Sequence, residues 1–533
     1  KHRSTEAQKH RSTEAQKHTF FRLAPIAAAL VALSAPASAA TISWSGGTGN
    51  WNFPTNWLEG RIPFPTDTVQ IMGGTVTLNT SNDHSVVVAE VIQVNDGTIS
   101  GYGNLVTTTL NWLSGTQNGN GTTTVNGTTN FGDGSNYYSY QSLGSGSNNG
   151  RTLTLNGDSI LQSSYVTLNG GSTINNNGTF TSKGDVRNNT VYSNIITSFD
   201  YGSTSTFNNA GAFVQDASGK QTTVGVVTFN NTGVVYVKSG TLQLDNLSNY
   251  NRTSQTLSGG SYHIDDGNTL AINLGNSTNS IRTNSAVILL NGPNAHLLNT
   301  SVGGNALSGL ATNTSEGALL LLNGAALGIG NFSNAGHIEI GAGSSLVSST
   351  DYVQNAGVTF VEGTLSANLV DIQGGILAGN GTITGNVSNA GLIIPGGFLV
   401  TLNVQGDFTQ RADGILAIDI AGTDQGVSYD WLNISGTASL AGTLDVFFTA
   451  GYLPAAGNAY TILSYGDWDQ TTFDAIQVTG LDLAQYTYST HYSDTGLTLS
   501  IAAVPEPSTY ALLLAGLGMV GFVARRRKVS VTA

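Results

Sequence analysis

The sequence predicts an all-β chain: a right-handed parallel β-helix (β-solenoid) with a C-terminal β cap, set between an N-terminal signal helix and a C-terminal hydrophobic helix. Three observations lead there. Segments such as Thr75-Val76-Thr77-Leu78, Thr152-Leu153-Thr154-Leu155 and Gly225-Val226-Val227-Thr228-Phe229 alternate small polar with apolar, β-branched residues, and Asn-Gly or Gly-Gly turns break them every few residues. Before the tail, no stretch has a helical period. A unit reading Asn-x-Gly followed by an alternating strand recurs from Asn176, Asn209, Asn231, Asn334, Asn355 and Asn389, and its closest intervals match one coil of a solenoid.

In chain order, residues 1–16 are an octapeptide, Lys1 to Gln8, repeated identically from Lys9 to Gln16. Position 1 is not Met, so this stretch is expected to be a start-site or gene-model extension outside the native structure. Residues 17–39 read as a secretory signal peptide. Lys17, His18 and Arg22 precede an apolar run from Leu23 to Leu33, and Ala37-Ser38-Ala39 is a small-x-small cleavage site, so the mature chain is expected to begin at Ala40. The expected partners at this end are the Sec translocon and signal peptidase.

Residues 40–72 hold Trp44, Trp51 and Trp57. Indole faces pack well on pyranose rings, so these three, with Tyr137, Tyr138 and Tyr140 further on, are candidates for glycan stacking. The other reading is a cap that closes the first rung with large apolar area, as terminal repeats require. Residues 73–399 are the solenoid repeats. There glycine is expected to take left-handed backbone angles at sharp corners, and Asn to stack on the Asn of the next rung. Residues 400–503 are read as the β cap.

Residues 504–533 have three parts. Pro505 and Pro507 keep the first part extended. The run from Tyr510 to Ala524 is uncharged and is expected to form a transmembrane helix, although its roughly 15 apolar residues fall short of the ~20 that span a bilayer comfortably. Arg525, Arg526, Arg527 and Lys528 then form a basic stop that holds this end in the cytoplasm and places everything earlier on the far side.

Composition narrows the function. Between positions 40 and 504 stand nine basic and 29 acidic residues, a net charge near −20, which repels nucleic acid and anionic lipid and suits nonspecific binding of divalent cations or basic polymers. Cysteine is absent, so no disulfide staples the fold and no thiolate does chemistry. The adjacent acids Asp265-Asp266 and Asp467-Trp468-Asp469 are the only candidates for acid-base work, and turn chemistry accounts for both. His84, His263, His296, His337 and His491 include no pair at metal-ligand spacing, and no calcium nonapeptide, EF-hand, Gly-x-Ser-x-Gly or phosphate loop is present. No cofactor is expected.

Three resemblances add to this reading. The tail resembles the PEP-CTERM sorting signal of Gram-negative bacteria, which implies that Pro505, Glu506 and Pro507 are the recognition motif of an exosortase, a membrane transpeptidase that removes the helix. The stretch from Gly374 to Val387 resembles the repeat of autotransporter passenger β-helices. Val404-Gln405-Gly406-Asp407-Phe408 through Tyr460-Thr461-Ile462-Leu463 resembles the cap that follows such repeats, with a departure at Pro395-Gly396-Gly397-Phe398-Leu399. Only about 30 residues follow Ile501, fewer than eight strands of ~10 need, so an autotransporter's secretion route is not expected. The segment from Trp44 to Ile71 resembles the opening module of secreted bacterial β-repeat proteins. The expected function is a structural or adhesive protein of the cell surface or extracellular matrix, associated with exopolysaccharide or biofilm. The alternative is a carbohydrate-active β-helix enzyme, a polysaccharide lyase or hydrolase.

Overall fold

A computed structural model describes residues 38–79, 85–132, 140–162, 165–187, 190–199, 204–396, 400–504 and 507–529. The octapeptide repeat and the body of the signal segment lie outside them. Fifty strands join one sheet in which almost every pairing is parallel, and the only α-helix among the described residues is Pro507–Val529. The arrangement is that of a β-solenoid.

Its backbone is a row of register partners. The row starts at Ile42, Val69, Val91 and Leu110 and passes through Phe180, Phe213, Val235 and Tyr262. It ends at Ile393, Leu416, Leu444 and Ile476. Successive partners are separated by as few as 16 residues, Leu377 to Ile393, and as many as 33, Phe180 to Phe213. A second ladder begins with Thr48–Asn50 on Thr75–Thr77. A third includes Thr122–Val125, Thr152–Leu155, Thr173–Asn176, Thr206–Asn209 and Thr228–Asn231. Alternation along each strand sends every second side chain into one continuous core, which no rung could close alone.

Two interior features hold the rungs in register. Phe180, Phe207, Phe213 and Phe229 interleave in stacked and edge-on pairs 5.2–5.6 Å apart. Beside them, Asn176 Nδ2 donates to Asn209 Oδ1 at 2.7 Å and Asn209 Nδ2 to Asn231 Oδ1 at 2.8 Å, all three fully or almost fully buried. Asn284, Asn313 and Asn334 repeat the ladder at 2.8 and 2.9 Å. An amide suits this position because it can donate to one neighbour while accepting from the other, as Asn209 does between Asn176 and Asn231.

The glycine of the Asn-x-Gly unit has a different reason from the one expected. Gly178, Gly211, Gly233 and Gly336 do not occupy left-handed angles. They form columns in which each sits against the backbone of the rung before. A Cβ on Gly211 would lie 2.0 Å from Gly178 O, and one on Gly233 would lie 2.0 Å from Gly211 O. Of the six Asn-x-Gly units, the one at Asn355 combines that contact with a left-handed backbone, at Gly357, φ +72°. The unit at Asn355 is also offset by one residue: Gln354 is the buried ladder member there and Asn355 is exposed.

Parallel pairing runs on through the segment read as a cap. Thr401–Gln405 pairs with Trp431–Ile434, and Thr443–Phe448 with Ala475–Thr479. The strands of this segment reverse direction where Gly496–Ala503 pairs antiparallel with both Ala459–Ser464 and Tyr486–Ser493. That reversal ends the stack and covers an edge that would otherwise invite another strand. Near the other end, the guanidinium of Arg151 is fully buried without a carboxylate. It donates to Thr123 Oγ1 at 2.9 Å and to the carbonyls of Gly103 and Gly101 at 3.0 and 3.2 Å, and burial lowers its pKa to about 10. It therefore remains charged at neutral pH and ties together backbone from successive rungs.

Candidate functional site

Trp44, Trp51 and Trp57 lie in the first rung, where all three are buried. Trp57 stands edge-on to Trp44 at 5.0 Å and to Trp51 at 4.8 Å. Its Nε1 donates to Trp51 O at 2.8 Å, and Trp44 Nε1 donates to Gly47 O at 2.9 Å. With their faces spent on one another, the indoles close the core and offer no platform for a sugar ring. Tyr137 and Tyr138 lie outside the described residues. Tyr140 is half exposed and stacks on its register partner Tyr165 at 5.3 Å.

The acids sit at strand ends and the turns beside them: Asp265 closes the strand Thr256–Asp265, Asp266 opens the turn after it, and Asp467 begins the strand Asp467–Trp468. Asp265 Oδ2 accepts from Tyr236 Oη at 2.5 Å and its Oδ1 from Asn291 Nδ2 at 2.8 Å. That bond pushes the Tyr236 phenol up to about 12, so it stays protonated. Asp266 Oδ1 accepts from the backbone N of Asn294 at 2.8 Å, next to the left-handed Gly267. Both acids border an open groove of about 420 Å³ with Lys238, Asn268, Asn291 and Asn323. Asp469 accepts from Ser439 and Thr471, which lowers its pKa, and Asp467 accepts from the backbone N of Trp468. His84 lies outside the described residues, and among these no three His, Asp or Glu converge as a metal site.

One surface was not anticipated. On the third ladder, Thr122, Thr152, Thr173, Thr206 and Thr228 form a column of register partners that faces outward. Beside it run Thr124, Thr154, Asn175, Asn208 and Asn230. Asn126, Asn156 and Asn177 add an exposed third column joined by amide bonds of 2.9 Å. The face carries no charge in a chain of strongly acidic body. Among the described residues, the hydroxyls of Thr122, Thr152, Thr173 and Thr206 make no protein hydrogen bond, and rungs repeat every ~4.8 Å. The signal was present in the tetrapeptides Thr173-Ile174-Asn175-Asn176, Thr206-Phe207-Asn208-Asn209 and Thr228-Phe229-Asn230-Asn231: their fourth residue is the interior Asn and their first and third face out.

At the C-terminus, Pro507–Val529 is a single helix of 23 residues. Pro505 and Glu506 lie outside the described residues, while Pro507 opens the helix. Leu512, Leu514, Met519 and Val520 are largely exposed, and Arg526 places its guanidinium 4.9 Å over the Phe522 ring. The expectation of a transmembrane helix is corrected here: no helix among the described residues is long and apolar enough to cross a membrane. Glycines at 516, 518 and 521 dilute the apolar run, and the cations at 525–528 end it.

Residues 503–528 match the family model of the PEP-CTERM protein-sorting motif. The match covers the proline motif, the helix and the basic stop together. It marks an exosortase as the processing partner and export to the cell envelope or surface as the destination. No curated protein matches the chain.

Proposed function

We propose that this chain is a structural or adhesive component of the extracellular matrix of a Gram-negative bacterium and that it holds neutral polysaccharide against the Thr/Asn face of its third ladder. The coil is read as right-handed, the hand that parallel β-crossovers almost always take, and as similar to autotransporter passengers with a C-terminal β cap. The observation that carries the proposal is the uncharged lattice of Thr and Asn. Unused hydroxyls at a fixed rung repeat suit an extended, hydroxyl-rich polymer that presents its own groups at regular intervals, and no charge on the face demands a charged ligand. The reading is non-enzymatic and without cofactor: the carboxylates of Asp265 and Asp266 are engaged by hydrogen bonds from neighbouring rungs and that of Asp469 by a local one from Thr471.

The experiment is retention of the full chain on insoluble neutral β-glucan, with reducing ends measured in the supernatant. The expected result is retention that resists salt, without sugar release, and a loss of about tenfold when Thr154→Lys is combined with Asn208→Lys, as for desolvated contacts at the centre of an interface. Absence of retention on any glycan would overturn the proposal. Sugar release abolished by Asp265→Asn or Asp266→Asn would replace it with the lyase or hydrolase reading. For sorting, replacing Glu506 and Pro507 is expected to leave the C-terminal helix attached, read as the uncut C-terminal mass of the chain by mass spectrometry.

A further inference from the structure

The first strand, Thr41–Ser43, begins two residues after the expected signal-peptidase junction at Ala39, and what anchors it is a buried carboxylate. Asp67 is fully buried and accepts four hydrogen bonds. Arg61 gives two, from Nη1 at 2.6 Å and Nη2 at 3.1 Å; the backbone N of Phe64 gives one at 2.7 Å; and the backbone N of Ala40 gives the fourth at 3.0 Å. Ala40 is fixed from its other side as well, because its carbonyl accepts from Thr68 N at 2.9 Å. Ser38 and Ala39, by contrast, are exposed. The body of the fold thus takes hold of the chain at Ala40 through the very nitrogen that a cut after Ala39 releases.

We infer that Asp67 is the receptor for the N-terminal ammonium of the mature chain. Hydrolysis of the Ala39–Ala40 amide consumes one water: Ala39 departs with the carboxylate, and Ala40 keeps the nitrogen as a primary amine that binds a proton at neutral pH. That nitrogen already lies 3.0 Å from Asp67 Oδ1, so a neutral amide donor becomes an ammonium with no movement of the rung. The exchange strengthens the contact, since hydrogen bonds between two charged groups are roughly twice as strong as neutral ones. The local charges also balance. Glu59, whose Oε2 accepts from Ser43 N at 2.8 Å, lies close enough to act on Arg61, so two cations, Arg61 and Ala40, face two carboxylates, Asp67 and Glu59. Removal of the leader completes the first rung, and an uncut chain has only the weaker form of the same contact. This inference rests on cleavage after Ala39 and is independent of any polysaccharide role.

The test uses the full precursor exported from cells. Mass spectrometry is expected to place the mature N-terminus at Ala40. At neutral pH, an amine-acylating reagent is expected to modify that α-amine about tenfold more slowly than in Asp67→Asn, the change one charge-assisted hydrogen bond gives. Because Asp67→Asn also removes the partner of Arg61, a second variant inserts one alanine between Ala39 and Ala40. It keeps Asp67 and Arg61 and carries the ammonium ~3.3–3.6 Å further out. Its α-amine is expected to react at the rate of a free amine. A mature start at any other residue, or equal acylation rates in the unmodified chain and the insertion variant, would overturn the inference.

Discussion

The third ladder can be compared with itself. From Thr122 to Asn230 its outward residues are threonine and asparagine throughout. From Ser333 to Thr409 the outward row becomes Ser333, Val353, Asp371, Ser388 and Thr409, with Asp371 paired to Arg411. The inward row is far less altered. In the first run the inward row is Val125, Leu155, Asn176, Asn209 and Asn231; in the second it is Asn313, Asn334, Gln354, Ile372, Asn389 and Gln410, so buried amides dominate both with a few apolar substitutes. The amide ladder and glycine column that set register recur where the surface chemistry does not. Architecture is written on the inside of these rungs, and the outside is left free to vary.

The sharpest way to break that parallel is at the glycine columns. Gly211→Ala in the first run and Gly336→Ala in the second place a Cβ 2.0 and 2.2 Å from a carbonyl of the preceding rung. Backbone cannot yield as a flexible side chain does, so each is expected to cost upward of about 4 kcal/mol in urea unfolding. Gly328→Ala meets nothing within 4 Å and is expected to leave stability unchanged. Equal effects at all three positions would mean that the columns do not carry the register.

A smaller effect is expected at the amides. Asn209→Leu takes the Asn209 amide from Asn231 Oδ1 and Val234 O and leaves Asn176 Nδ2 with Ala212 O alone, at a cost of about 3 kcal/mol. Ile372→Val, at the apolar position of the second run, is expected to cost only about 1 kcal/mol, because its neighbours Gln354 and Asn389 are bonded elsewhere. Chemical denaturation of the two variants measures the contrast.

The smallest effect concerns pH and the end at which the first run begins. The Arg61 guanidinium, helped by the Phe64 and Ala40 amides, holds the buried Asp67 carboxyl down to about 2 from an ordinary 3.8. A depressed carboxyl stabilises the fold at every pH above its unfolded value and loses that contribution as pH falls through its folded one. About 2 kcal/mol is therefore expected to disappear between pH 4 and pH 2. Hydrogen exchange in that window is expected to show opening at the strands around Thr41 and Thr68 before those around Gly336. Uniform opening would show that the first rung has no separate acid sensitivity.

Much of the fold was legible in the sequence because solenoid physics repeats itself in residues. Alternation marks strands, and Asn-x-Gly marks the rung position where an amide must bond in both directions. The outer lattice escaped notice because each Thr-x-Thr or Thr-x-Asn looks like ordinary strand polarity until register aligns two of the first with three of the second. Gln354 was missed because Asn355 supplies a matching motif one residue late. Asp67 was missed because nothing in the sequence says that Arg61, Phe64 and Ala40 converge on it. The tail was the reverse case: three contiguous segments with distinct chemistry need no tertiary structure to be recognised.

The interval between register partners has a consequence for how such a chain changes over generations. It varies from 16 to 33 residues while the partners remain aligned, so the length of each coil is absorbed at its corners. Most of these rungs present their neighbours with a similar interior: an amide or an apolar residue in its place, and a row of apolar side chains. A duplicated coil therefore inherits a ready fit on both sides, and a lengthened corner disturbs neither. Gene segments can be copied or enlarged one coil at a time, which lets the molecule lengthen and gain new loops without refounding its core.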